Sequence, residues 1–450
     1  MMKIFFIIMS LQFLSLKNKN YLMNNLIILI FFMLTLMMIF LNNFLNYYWN
    51  LIYYNFGFDN LSFSLVLLTF WISALSMISN NKLIKFKNLK FMQLMIILMM
   101  MMIYTFSSIN MIIFYIFFEI SLIPIILIIM GWGFQIDRIQ ASMYMMFYTL
   151  FGSLPLLIFI IFLFYNNYTL MFNILYFNNF LMNYNNLIFY LMLNLAFFIK
   201  MPMYFLHVWL PKAHVEAPIS GSMILAGVML KLGSYGIYRT MNIFLNMYLN
   251  YGKFMILINL MGSLIGSLIC LNCSDMKIII AYSSVVHMSL MLAGMMTLFN
   301  MSFKGSILMM VAHGLCSSGL FYISNLNYER IKSRNIFINK NMMNIFPSLT
   351  LWWFLICSSN FSAPFSLNLF SEIFLFNSLI QWNIFLILII VLISFFSTCY
   401  SIFLYAFSQY GKMNFNMYNF NNINCKEYNM MILHWLPLNI IFIDMNIFIF

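Results

Sequence analysis

The stretch Asn194–Thr240, NLAFFIKMPMYFLHVWLPKAHVEAPISGSMILAGVMLKLGSYGIYRT, most narrows what this chain can become. It is apolar enough to enter a lipid bilayer. Yet it carries Lys200, His207, Lys212, His214, Glu216 and Lys231, and it is interrupted by Pro202, Pro211 and Pro218. A lysine at the bilayer centre costs about 3 kcal/mol on insertion scales, and ionisable groups at that depth mark ion or proton paths. Prolines there free backbone groups that neighbouring protein or water must re-satisfy. Helices broken around buried charge are a transporter plan.

Composition extends this reading to the whole chain. Of 450 residues, 64% are hydrophobic and 7% charged, against about 25% charged in soluble domains. The expected fold is an all-α polytopic membrane protein, with no room for a soluble domain between its apolar runs. The net charge of +12 sits in short loops, so it sets topology and does not point to a nucleic-acid partner. The first segment reads as a retained helix, since neither a cleavable signal peptide nor an Arg/Ser-rich presequence is present. The usage of 45 Met and 53 Phe against 16 Gly and 8 Pro favours AT-rich codons, as in an organelle genome.

A span needs about 20 residues. About fourteen segments qualify: 1–16, 21–45, 59–79, 91–109, 111–131, 140–165, 186–210, 218–246, 253–272, 277–298, 303–325, 345–380, 382–408 and 430–448. The seventh breaks at Pro202 and the twelfth at Pro364, five helices apart. An odd helix number per repeat reverses orientation, so two inverted five-helix repeats follow. The units are 1–90 (helices 1–3), 91–246 (helices 4–8), 253–408 (helices 9–13) and 409–450 (a loop and helix 14). In this plan a lysine of the first broken helix corresponds to Glu372 in the second. Fifteen Lys and Arg residues fall in odd-numbered loops and four in the even loops and termini. That bias puts the odd loops on the side of synthesis and both termini opposite.

Few ionisable residues lie well inside the apolar runs: Glu119, Lys200, Lys231, His287, His313 and Glu372, with Asp444 near one end. Buried ion pairs return little stability, because desolvation cancels much of the attraction. Their presence therefore points to proton relay. Static pairing is the alternative for Glu119 and Lys200, snorkelling for Lys231, and hydrogen-bonded packing for the histidines. His207 stands seven residues after Lys200 and shares its face if Pro202 does not reorient the helix. His214 and Glu216 read as interfacial contacts rather than catalysts. Asp137–Arg138 reads as a surface pair and 329–334 as an exposed basic loop. Asn-rich pieces at 166–186 and 414–424 read as extramembrane loops.

No metal site is expected. His207, His214 and Glu216 lack zincin spacing, and Cys270-x-x-Cys273 has no second pair. Neither a phosphate-binding loop nor a dinucleotide fingerprint is present, so no cofactor is expected on this chain.

Three stretches, KMPMYFLHVWLPKAHVEAPISGSMILAGVMLKLGSYGIYR, SDMKIIIAYSSVVHMSLMLAG and VAHGLCSSGLFYISNLNYER, resemble the subunit-4 family of mitochondrial NADH:ubiquinone oxidoreductase, respiratory complex I. The similarity runs from about residue 55 to 410, and the composition resembles insect mitochondrial gene products. The family is related to Mrp-type antiporter subunits. The resemblance implies an antiporter-like proton-translocating subunit of the membrane arm, within an enzyme that reduces ubiquinone with NADH. It implies that Glu119 pairs with Lys200, that Lys231 is the central lysine, that His287 and His313 link, and that Glu372 ends the path. NADH, FMN, iron–sulfur clusters and ubiquinone would be used elsewhere in the complex. Partners would be neighbouring antiporter-like and accessory subunits and lipids such as cardiolipin, in the inner mitochondrial membrane with odd loops in the matrix and both termini on the intermembrane-space side. A structural scaffold without its own proton path is the alternative.

Overall fold

A run of about twenty apolar residues in lipid has no water to pair its backbone, so helix is the conformation open to it. The computed structural model describes residues 2–17, 21–41, 49–80, 88–178, 186–412 and 422–443, and it is mostly helical. Asp444 and the loop lysines Lys19, Lys82, Lys85 and Lys87 lie outside the described residues, as do most of the second Asn-rich piece and the end of the fourteenth segment.

Helices α1 (Met2–Lys17) and α2 (Tyr21–Leu41) precede an antiparallel hairpin, β1 (Asn50–Tyr53) and β2 (Phe56–Phe58). Then come α3 (Asn60–Ser79), α4 (Asn88–Ser107), α5 (Met111–Ile120), α6 (Leu122–Trp132), α7 (Arg138–Asn167), α8 (Phe172–Asn178), α9 (Leu187–Lys200), α10 (Trp209–Glu216) and α11 (Ile219–Ile224). A π-helical turn, Leu225–Met229, joins α11 to α12 (Leu230–Ile243). The second half holds α13 (Leu245–Asn272), α14 (Met276–Met295), α15 (Asn300–Ile331), α16 (Met342–Ile345), α17 (Pro347–Asn360), α18 (Leu367–Trp382), α19 (Ile387–Gln409) and α20 (Cys425–Ile443). Among the described residues, eight helices are long and apolar enough to cross a membrane. The chain is a multi-pass membrane protein.

Local chemistry explains where the elements depart from the expected segments. The fifth segment turns at Ser121, between α5 and α6. Pro124 has no N–H for the Ile120 carbonyl, and its ring crowds that carbonyl. The first Asn-rich piece is not wholly loop: α8 lies within it, anchored by the Asn110–Met171 bridge.

The seventh segment stops at Lys200 and resumes at Trp209, and the twelfth stops at Asn360 and resumes at Leu367. Both breaks are satisfied alike. Met203 N–H donates to the Phe198 carbonyl, and Ala363 N–H to the Ser358 carbonyl. The next carbonyl accepts from a side chain: Ile199 O from Trp209 Nε1 at 2.9 Å, Ser359 O from Asn368 Nδ2 at 2.5 Å. Each break also carries a phenylalanine at positive φ, Phe205 (77°) and Phe365 (66°). In this register Lys200 stands opposite Asn360. Glu372 lies on the other limb of its break, not opposite Lys200.

The connections gather on two faces. Loops 5, 7, 9 and 11 meet on one face: Asp137 borders the same cavity as Lys212 and Ile278, Lys277 Nζ donates to Ala217 O, and Met276 N to Arg334 O. Loops 2, 4, 6 and 8 meet on the other. Met111 N donates to Leu170 O, and Arg239 at the end of α12 pairs with Asp59 ahead of α3 at 2.5 Å. Among the described helices long enough to span, α3, α14 and α15 are the most enclosed. By contrast, α7 and α19 show outward apolar side chains such as Phe151 and Leu388. Polar groups on α14 and α15 therefore face protein, not lipid.

Candidate functional site

The enclosed axis begins at the π-turn. A π-turn shifts the i−4 ladder by one residue and often marks a functional site. Lys231, one residue into α12 and 0% exposed, donates from Nζ to the Ala226 carbonyl of that turn at 2.5 Å. The same ammonium lies 3.0 Å from His313 Nδ1 on α15. With lysine as donor, Nδ1 accepts and the His313 proton sits on Nε2. The His313 and His287 rings are 5.9 Å apart. His287, on α14, has Nδ1 3.5 Å from Glu372 Oε1 on α18 and Nε2 3.3 Å from Tyr400 OH on α19. Five helices thus bring Lys231, His313, His287, Tyr400 and Glu372 into one polar line through an apolar interior.

Small residues permit the approach. A Cβ on Gly233 would meet the Phe197 carbonyl and Met201 N at 2.9 Å, so α12 rests directly on the α9 backbone. A Cβ on Gly314, beside His313, would meet the Gly227 carbonyl at 3.0 Å.

Lys200 forms a second cluster. It ends α9, and its Nζ donates to the Phe118 carbonyl on α5 at 2.7 Å while sitting 3.2 Å over the Phe118 ring. Glu119 follows Phe118. The two charges interact electrostatically, and Ser153 of α7 lies beside the Glu119 carboxyl. Glu119 Oε1 has no hydrogen-bond partner among the described residues, and no direct Glu119–Lys200 contact forms. A cation on a carbonyl and an aromatic face is held with its counter-ion one step away.

His207 is not joined to Lys200, because the helix ends at Lys200. It lies in the break, stacked on Tyr204 at 5.3 Å, and its Nδ1 has no hydrogen-bond partner among the described residues. His214 and Glu216 do not stand in a loop: both are in α10 and buried. Likewise 329–334 is not an exposed loop. α15 runs to Ile331, and Arg334 is 8% exposed. Sequence reasoning missed Tyr400, one of 27 tyrosines without local signal. It also missed His434, buried in α20 with Nδ1 3.2 Å from Ser318 Oγ, although that histidine stands in an apolar run.

Comparison with known proteins places the chain. A family model described as NADH:quinone oxidoreductase/Mrp antiporter, TM, matches residues 108–398. Another, NADH-ubiquinone oxidoreductase chain 4, amino terminus, matches residues 1–107. The chain is 45% identical to NADH-ubiquinone oxidoreductase chain 4 of Ceratitis capitata over 93% of each chain. It is 46% identical to that of Aedes aegypti over 99% of each. The chain belongs to the NADH-ubiquinone oxidoreductase chain 4 family. Its fold is similar to that of a chain in the structure titled respiratory complex I from Thermus thermophilus with bound NADH. There the TM-score is 0.83 at 20% identity, covering 95% of this chain and 91% of that one. A chain of the membrane-bound sulfane sulfur reductase, an archaeal respiratory membrane complex, gives 0.84 at 16% identity, covering 96% and 74%. At these identities the likeness is one of fold.

Proposed function

We propose that the chain is a proton-translocating, antiporter-like subunit of the membrane arm of respiratory complex I. It is thereby part of an H+-translocating NADH:ubiquinone reductase, and it couples electron transfer elsewhere in the complex to proton movement across the inner mitochondrial membrane. Its fourteen helical segments cross that membrane, ten of them as two inverted repeats, helices 4–8 and 9–13, with odd loops in the matrix. The matched hydrogen-bonding of the two breaks supports that reading. Neighbouring antiporter-like subunits, accessory subunits and lipids such as cardiolipin are its partners. NADH, FMN, the iron–sulfur clusters and ubiquinone belong to other subunits.

The observation that carries the function is the enclosed line Lys231–His313–His287–Glu372, with a 3.0 Å contact at one end and 3.5 Å at the other. Moving one charge against about 150 mV costs roughly 3.5 kcal/mol. Glu119 holds the proton on Lys200 electrostatically. Neutralising or displacing Glu119 removes that hold, and the released proton passes through water to Lys231. His313 accepts at Nδ1 and gives up its Nε2 proton toward His287, which passes one to Glu372. His207 stands off this line and takes no step.

The test is the number of protons moved per NADH oxidised by the assembled complex carrying Lys231→Ala. Normal assembly with a lowered ratio or lost turnover is expected. Loss of assembly alone would favour the scaffold role, and an unchanged ratio would overturn the relay.

A further inference from the structure

The last helix, α20, stands outside the two five-helix units and is tied to the enclosed helices by polar contacts. Pro437 lies within it, and a proline offers no N–H to the carbonyl four residues back. That carbonyl, Leu433 O, accepts instead from Trp71 Nε1 of α3 at 3.0 Å. Next to it His434, buried, has Nδ1 3.2 Å from Ser318 Oγ of α15. A Cβ on Gly319 would meet the His434 Cβ at 3.3 Å, so α20 lies close against α15. Nearer its start, Glu427 pairs with Arg330 of α15 at 2.5 Å.

So anchored, α20 turns Asn439 toward the second break. With its amide oriented to satisfy both neighbours, Nδ2 donates to the Phe365 carbonyl at 3.1 Å and Oδ1 accepts from Trp435 Nε1 at 3.2 Å. The Trp435 ring meets Trp352 of α17 edge-on at 6.3 Å, and the Phe442 ring meets Phe365 at 5.9 Å and Phe370 of α18 at 5.0 Å. One helix face therefore touches both limbs of the break and the turn between them. The Phe365 carbonyl precedes Ser366, the N-cap of α18, where no intrahelical donor reaches it. Phe365 itself has φ 66°, a left-handed backbone that a phenylalanine keeps only when its surroundings impose it. The first break lacks this support: among the described residues the Phe205 carbonyl accepts no hydrogen bond.

We propose that Asn439, held by Trp435, is a positioning residue: it fixes the second break and thereby sets where α18 places Glu372 against His287. The inference rests on the proton-translocating reading. Glu372 stands six residues after Ser366, fewer than two helical turns from the clamped carbonyl. Its Oε1 lies 3.5 Å from His287 Nδ1. Protons pass directly between groups about 2.6–3.2 Å apart, so a slight tilt of α18 at the break decides whether this pair closes or stays apart. The Asn439 amide is bonded on both sides and cannot turn without losing both partners. Its bonds go to Phe365 and Trp435, so it acts through α18 and not on the proton itself.

The experiment uses the assembled complex in proteoliposomes and reads the rate of proton pumping during NADH oxidation across a range of pH. Asn439→Leu keeps the side-chain volume and removes both hydrogen bonds. It is compared with Glu372→Asp, which shortens the reach of the carboxylate, with the two combined, and with Lys231→Ala. Asn439→Leu is expected to assemble, to pump about fivefold more slowly, the factor that one lost hydrogen bond corresponds to, and to shift the pH profile. Added to Glu372→Asp it should cost little more, because both act on one contact. If Asn439→Leu pumps like the parent, or if it slows Glu372→Asp by the same factor as the parent, the positioning role is overturned and the axis stands. If Lys231→Ala pumps like the parent, the proton-translocating reading fails first. Should Asn439→Leu not assemble, Trp435→Phe, which keeps a ring against Trp352 and frees the amide, decides by the same comparison.

Discussion

The Lys231 ammonium has two acceptors in reach, the Ala226 carbonyl and His313 Nδ1, and no carboxylate among its hydrogen-bond partners. A proton held by a neutral histidine and a carbonyl is more easily surrendered than one held by a carboxylate. Substituting Lys231→Arg keeps the charge and the donors. However, a guanidinium ionises about 2 or more units above an ammonium, so it gives up its proton at least about a hundredfold less often. Lys231→Arg is therefore expected to assemble normally and lose proton pumping, measured as proton uptake in proteoliposomes during NADH oxidation. Normal pumping would show that Lys231 acts only as a fixed charge. At the far end, Tyr400→Phe removes one hydrogen bond to His287, worth about 1 kcal/mol. It should leave assembly intact and shift the pH profile of proton pumping, whereas a role in packing alone would leave that profile unmoved. Sequence marked four members of this line by their charge in apolar surroundings. Tyr400 and the Ala226 carbonyl carried no mark, since a tyrosine and an alanine in a membrane helix are ordinary.

At the scale of elements, the polar line depends on how closely α12 approaches α9 and α15. At Gly233 the opposing atoms are backbone, Phe197 O and Met201 N, which cannot swing away as a flexible side chain does. Gly233→Ala forces the helices apart, and overpacking of this kind costs about 1–3 kcal/mol. The expected result is a lower thermal unfolding temperature of the detergent-solubilised complex and a lower yield of assembled complex. An unchanged unfolding temperature would mean that α9 shifts freely. The helices themselves were legible from apolar run length, and both breaks from their prolines. What the periodicity could not reveal was that the seventh segment stops at Lys200, which ends the shared face expected for Lys200 and His207. The burial of α10 was equally hidden, because PKAHVEAP is polar enough to read as loop until α7 and α14 are packed around it.

For the whole molecule, the Asp59–Arg239 pair ties the start of α3 to the end of α12 with two contacts, 2.5 and 2.7 Å, and Arg239 also lies 4.4 Å from the Trp49 ring. Removing one partner of a buried pair leaves an uncompensated charge and costs about 3–5 kcal/mol. Asp59→Ala should sharply lower assembly, read by native electrophoresis. A double replacement with Leu at both positions should recover much of it. A double variant no better than the single would mean that Arg239 is held by Trp49 and Tyr235 instead. The two-faced arrangement of the loops makes a further prediction. Cysteines at Lys332 and Lys412, in odd loops, should react with an impermeant thiol reagent from one side of the membrane, and a cysteine at Asn300, in an even loop, from the other. Reaction from a single side would refute the alternation.

By itself, the sequence determined that this chain is a mostly helical, multi-pass membrane protein, and which family it resembles. Those properties follow from apolar run length and local motifs, both of which act before the chain packs. Tertiary structure alone decided which charges meet. Lys231 and His313 are 82 residues apart, and His287 and Glu372 are 85 apart, so only helix packing brings them within 3.0 and 3.5 Å. The same packing set Lys200 on the Phe118 carbonyl rather than in direct contact with Glu119. It also enclosed His214, Glu216 and Arg334, whose polarity in sequence pointed outward. Burial is a property of neighbours, and no local spacing encodes it.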